Sequence, residues 1–139
     1  MSYTDYCNCE SIHVTLPQQP ENSGLCHCDN CKRAGGGKSI FVVIPPGDAN
    51  MEFSTAFSVN YFLPEDEMTL DDPKKALKSY EDSETASGNV IQRYFCSNCG
   101  SAIFTRTPKT PGDIFLKATL FDTVSPTAGE IFAHKKLQL

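Results

Sequence analysis

The sequence predicts a mainly β fold with little helix, built around metal rather than disulfides. Three observations lead there. Short apolar runs with strand periodicity recur along the chain and are closed by proline and glycine. Only one stretch carries a helix-start signal. The 7 cysteines fall into three tight groups, "CNC" at 7–9, "CHCDNC" at 26–31 and "CSNC" at 96–99. At 139 residues the chain is long enough for one domain with a real core, so 1–139 is read as a single zinc-binding β domain.

The elements follow in order. "SIHVTL" at 11–16 alternates polar and apolar residues, as a half-buried strand does. "SIFVVI" at 39–44 is β-branched and stops at Pro45-Pro46-Gly47. "AFSVNYFL" (56–63), "NVIQRYF" (89–95), "SAIFT" (101–105) and "IFLKATLF" (114–121) continue the pattern, with turns at Pro108, Pro111-Gly112 and Pro126. "EIFAHKKLQL" (130–139) is a candidate last strand. Phe41, Phe62, Tyr94, Phe95, Phe104 and Phe121 lie in these strand patterns and read mainly as core. The helix-start signal lies in "PEDEMTLDDPKKALK" (64–78), where Asp72 could cap and Pro73 suits a first helical position. No apolar period is sustained there, so 64–88 reads as a loop or short-helix excursion.

Composition narrows the function classes. A net charge of −5 gives no basic surface for phosphate recognition, so no nucleic-acid partner is expected. The apolar run "IFVVI" is far short of a membrane span, and the N-terminus shows no basic and apolar secretory pattern. These features, with an odd number of clustered thiols, place the chain in a reducing interior, the cytoplasm first, and point to zinc.

Structural zinc takes four protein ligands, whereas a catalytic zinc keeps three and an open position. Seven cysteines divide naturally into four and three. Cys7 and Cys9, if extended, present their side chains on the same side. Cys96 and Cys99 form a C-x-x-C knuckle, followed by Gly100 where a tight turn calls for a left-handed residue. Together they make a closed structural site that joins segments roughly ninety residues apart. Cys26, Cys28 and Cys31 then supply three thiolates and an open second zinc, with the small-residue run "RAGGGKS" beside it. Two Zn²⁺ per chain are expected. A histidine could instead close the second site. His27 is disfavoured because it points away from its cysteine neighbours, while His13 and His134 stay open.

"YCNCESIHVTL", "CHCDNCKRAGGGKSIFVVIP", "RYFCSNCGSAIF" and "LKATLFD" together resemble the successive blocks of the glutathione-dependent formaldehyde-activating enzyme and centromere protein V family. The resemblance implies a Mss4-like fold of twisted antiparallel sheets with two zinc ions. It implies that Cys7, Cys9, Cys96 and Cys99 hold a structural zinc, and Cys26, Cys28 and Cys31 a catalytic one. The implied activity is carbon–sulfur lyase chemistry on glutathione or a related thiol adduct of a small electrophile. Two departures stand out. Glu10 replaces the family's usual glycine, which argues against a left-handed turn there and for a solvent-facing side chain. The acidic excursion at 64–88 is long for the family and could cover the active-site mouth.

A zinc-bound thiol has a lowered pKa, and its exchange with an electrophilic carbon needs an acid/base group. Asp29, Asp122 and His134 are the candidates. Lys32, Arg33 and Lys38 could attract an anionic thiol, and backbone N–H groups of Gly35, Gly36 and Gly37 could receive its carboxylate. The alternatives are a lyase or isomerase acting on a larger metabolite, and a non-catalytic zinc module that binds a protein. The sequence leaves the oligomeric state open, a homo-oligomer included.

Overall fold

The structure is a computed structural model that describes residues 2–26, 58–83 and 88–131. The strand expected at 39–44 and the end of the one expected at 130–139 lie outside the described residues. Ten strands are described: β1 (Tyr3–Tyr6), β2 (His13–Leu16), β3 (Ser23–Cys26), β4 (Ser58–Pro64), β5 (Thr69–Asp71), β6 (Leu77–Asp82), β7 (Ile91–Cys96), β8 (Ala102–Arg106), β9 (Asp113–Lys117) and β10 (Thr127–Ile131). Helix is confined, among the described residues, to single 3₁₀ turns at Glu65–Glu67 and Ala118–Leu120. The mainly β expectation holds.

The strands form a three-stranded sheet in the order β1-β2-β5 and a seven-stranded sheet in the order β10-β3-β4-β9-β8-β7-β6. Pairing is antiparallel except at one edge, where β10 runs parallel to β3 with Ile131 opposite Cys26. The period-2 alternation in the sequence explains which faces meet. Val14 and Leu16 of β2, with Ile12 just before it, pack with Tyr61 and Leu63 of β4, Phe104 of β8 and Ile114 and Leu116 of β9, all buried. Each such side chain contributes about 1.5–3 kcal/mol by leaving water. Phe121 joins this core, and Tyr3 stacks on it with ring centroids 4.1 Å apart. Not every strand aromatic is core: Phe62 is exposed and leans on Phe115 across the β4–β9 pair.

The excursion at 64–88 is the main departure from expectation. Its described part is a 3₁₀ turn and two strands rather than a loop or a short α-helix. Asp72 does cap, but it caps a turn: its two carboxylate oxygens accept the N–H groups of Ala76 (2.8 Å) and Leu77 (2.9 Å). Lys75 takes a left-handed φ of 52°, and β6 starts two residues later. A helix would need those N–H groups for its own ladder, and Asp72 removes them. β5 then pairs with β2, and β6 with β7, where the buried Arg93 Nε donates to Asp82 Oδ2 at 2.7 Å. The excursion thus flanks the two strands that border the cysteine turns described next.

Candidate metal centre

Two turns carry four cysteines to one place. The first leaves β1, runs through Cys7 and Cys9, and enters β2. Cys7 N–H donates to the Ile12 carbonyl (3.0 Å), and Glu10 N–H to the Cys7 carbonyl (2.8 Å). The second links β7 to β8, with Cys96 N–H donating to the Ser101 carbonyl (2.8 Å) and Gly100 N–H to the Cys96 carbonyl (2.7 Å). Ser97 N–H and hydroxyl both reach the Ala76 carbonyl, at 2.8 and 2.7 Å, which pins this turn to the excursion.

One expectation is corrected here. Cys7 and Cys9 do not converge through an extended chain. They sit in a tight turn that closes at Glu10, whose φ of 64° is left-handed. The turn that the glutamate seemed to disfavour is therefore present. Glu10 is solvent-facing, and its carbonyl accepts Nε2–H of His13 at 2.9 Å. His13 also packs its ring against Tyr6 (5.4 Å), so it belongs to the first turn.

The Sγ atoms of Cys7, Cys9, Cys96 and Cys99 all lie within 4.8 Å of one another. Cys9 Sγ is 3.7 Å from Cys7 Sγ and 3.7 Å from Cys96 Sγ. A disulfide would need about 2.0 Å. A tetrahedron with metal–sulfur bonds of about 2.3 Å has sulfur–sulfur edges of roughly 3.8 Å. The cluster therefore fits a zinc-sized ion in a closed four-thiolate shell.

Electrostatics supports the same reading. The Cys9 thiol is drawn down to about 5 by hydrogen bonds from the Ser11 and Asn98 side chains and the Ser11 backbone. Burial pushes Cys96 up, while burial of Cys99 is outweighed by donors from Ser101 and the Cys9 backbone, leaving it lowered. Ile12 N–H lies 3.4 Å from Cys7 Sγ. At Cys9 and Cys99 the donors favour thiolates, the form that binds metal.

The supporting residues Ser11, Asn98 and Ser101 were not singled out from the sequence. A signal was there: "CES" at 9–11 and "CGS" at 99–101 repeat a serine two residues after the second cysteine of each turn. Ser101 Oγ lies 3.2 Å from Cys99 Sγ and accepts the Asn8 N–H at 3.1 Å, so it also ties the two turns together.

The chain matches the family described as glutathione-dependent formaldehyde-activating enzyme over residues 2–53 and 48–135. The chain belongs to that family. The match runs through all three cysteine groups. No curated relative matches the chain. Among solved structures, it is similar to a crystal structure of a Rhodobacter sphaeroides protein, at 13% identity and a TM-score of 0.58, covering 90% of this chain and 99% of that one. At that identity the likeness concerns the fold.

Of the second cysteine group in this family member, only the backbone of Cys26 is described, where it closes β3 opposite Ser58 and Ile131. Cys28 and Cys31 lie outside the described residues, as do Asp29, Lys32, Arg33, Gly35, Gly36, Gly37, Lys38 and His134. Asp122 is described and exposed. Its N–H donates to Asp5 Oδ2 (2.9 Å), tying it to β1, and the chain beyond it reaches β3 at Ser23, where Ser23 N–H meets the Pro126 carbonyl. Cys26 is at the opposite end of that strand. Among the described residues, no helix is long and apolar enough to cross a membrane.

Proposed function

We propose that this chain is a zinc-dependent carbon–sulfur lyase-type enzyme acting on glutathione, or on a related thiol adduct of a small electrophile. The observation that carries the reading is a family match that includes all seven cysteines, combined with four of them gathered at zinc spacing. In this reading Cys7, Cys9, Cys96 and Cys99 hold a structural ion that fixes the two sheets' turns. Cys26, Cys28 and Cys31 hold a second. A zinc with an open position supplies acidification of a bound thiol.

The chain's own residues do the remaining work. Lys32, Arg33 and Lys38 attract an anionic thiol into an otherwise acidic protein, and the backbone N–H groups of Gly35 and Gly36 receive a carboxylate. One of Asp29, Asp122 or His134 exchanges the proton of the hydroxyl formed when sulfur joins the carbonyl carbon. The position of Asp122 beside β1 makes it the least favoured of the three. A thiol substrate suits a reducing, cytoplasmic setting.

The test is chemical and direct. The purified chain should contain two zinc ions by elemental analysis and accelerate condensation of glutathione with formaldehyde, followed by NMR of the adduct. Cys28→Ala should abolish the acceleration while the fold persists by circular dichroism. With cobalt in place of zinc, a titrated thiol should change the spectrum, and Cys28→Ala should remove that change. A spectrum indifferent to thiols would overturn the reading in favour of a protein-binding zinc module.

A further inference from the structure

We propose that Ser11 is a positioning residue of the four-thiol site, its hydroxyl capping the outer face formed by the Cys7, Cys9 and Cys96 sulfurs and donating to Cys9. The inference rests on reading that cluster as a metal site, and adds to it a residue that is neither a ligand nor part of the cysteine pattern.

The geometry is the argument. Ser11 Oγ lies 3.0 Å from Cys9 Sγ, 3.4 Å from Cys96 Sγ and 3.8 Å from Cys7 Sγ. An oxygen at those distances cannot lie inside the cage, whose centre is about 2.3 Å from each sulfur and is taken by the ion. It lies on the outside of one face, opposite Cys99, while Ser101 serves Cys99 itself at 3.2 Å. Ser11 is only 4% exposed, so its hydroxyl is withdrawn from water and needs partners. Among the described residues those three sulfurs are the partners in range.

The chemistry explains why a donor belongs there. Four thiolates around a divalent ion leave two negative charges in a half-buried pocket between the two turns. A hydroxyl proton aimed at sulfur disperses part of that charge and keeps the thiolate from taking a proton instead. One O–H can serve one sulfur at a time. Cys9 is the nearest, with Cys96 and Cys7 near enough to share it. The left-handed turn at Glu10 delivers the hydroxyl, because it reverses the chain directly before Ser11. Outer residues of this kind orient and tune metal ligands, and their removal costs about 10–100-fold in affinity.

The experiment uses the full chain and metal alone, in a Cys28→Ala background so that only the four-thiol site is titrated. Ser11→Ala should weaken Zn²⁺ binding about 10–100-fold in competition with a chromophoric chelator. It should also move the sulfur-to-Co²⁺ charge-transfer band to lower energy, because a thiolate without its donor gives up charge more readily. Ser11→Thr, which keeps the hydroxyl, should restore the band position. Independently of any variant, the wild-type chain loaded with ¹¹³Cd should show a slowly exchanging Ser11 hydroxyl proton coupled to the metal. Should Ser11→Ala not fold, that coupling decides: its absence overturns the inference. A Ser11→Ala chain with unchanged affinity and band overturns it as well, while leaving the metal site standing. A wild-type chain that loads no metal at these cysteines removes both.

Discussion

The two cysteine turns close with the same backbone bond across the base but place different residues at the left-handed position. Each starts with a cysteine whose N–H closes the turn across its base, and each carries its second cysteine before a left-handed residue and a serine. At that left-handed position the second turn has Gly100 (φ 81°), while the first has Glu10 (φ 64°). Glycine adopts such a φ freely, whereas a side-chain residue is strained there by about 1–2 kcal/mol. The first turn tolerates the strain because its surroundings fix it. Cys7 and Ile12 are bonded across its base, and His13 holds the Glu10 carbonyl. The difference teaches that hydrogen bonds across a turn can enforce a left-handed backbone, and residue type follows only where nothing else enforces it.

The strongest way to break the comparison is to remove one ligand from each turn. Cys7→Ser and Cys96→Ser should each abolish loading of the site by metal analysis. Each should also lower the melting midpoint by on the order of 10 °C in calorimetry. Equal losses show two halves of one site; a small loss from Cys7→Ser alone would show that the first turn stands without metal.

Backbone substitutions sharpen it further. A Cβ built at Gly100 meets nothing within 4 Å, so Gly100→Ala tests conformation and not space. It should destabilise the chain by about 1–2 kcal/mol in denaturant titration. Glu10→Gly should move the other way, with relief of strain partly offset by glycine's greater freedom when unfolded, for a net gain under about 1 kcal/mol. A loss in Glu10→Gly would mean that the carboxylate contributes something its exposure does not reveal.

The smallest effect concerns pH in the metal-free chain. Cys9 sits near 5, below its ordinary 9.0, so its contribution to stability is complete above pH 9 and is lost as pH falls through 5. Cys96 is raised, so its contribution is present below pH 9 and lost as pH rises. At pH 6, iodoacetamide should therefore alkylate Cys9 before Cys96, by peptide mass spectrometry, and the Cys9 rate should fall as pH drops through 5. Cys96 reacting first would reverse the assignment of the two turns.

Much of this was legible in the sequence, for identifiable reasons. β2, β4, β7, β8 and β9 were readable because each combines strand periodicity with a flanking turn signal, and because the core takes alternate residues from β2, β4 and β9. β5 and β6 were not. In "LKSYED" the single buried residue is Asp82, since β6 is the sheet's outer strand and its register is set by the Arg93 pair rather than by an apolar face. The four-cysteine grouping was legible from spacing, because ligand number and proximity in sequence limit the choices. The form of the first turn was not, because a left-handed glutamate has no local signature and is enforced by contacts across the turn. Ser11 escaped for the same reason. A serine beside a cysteine is common, and only the folded turn aims its hydroxyl at three sulfurs.

The separation of 87 residues between Cys9 and Cys96 has a consequence for synthesis. As the chain leaves the ribosome, the first pair of thiols waits for the long intervening segment to be translated before its partners arrive. During that interval the early pair is open to oxidants and to stray ions, and the lasso between them cannot close. A four-thiol shell can therefore close only after nascent polypeptide has passed residue 99.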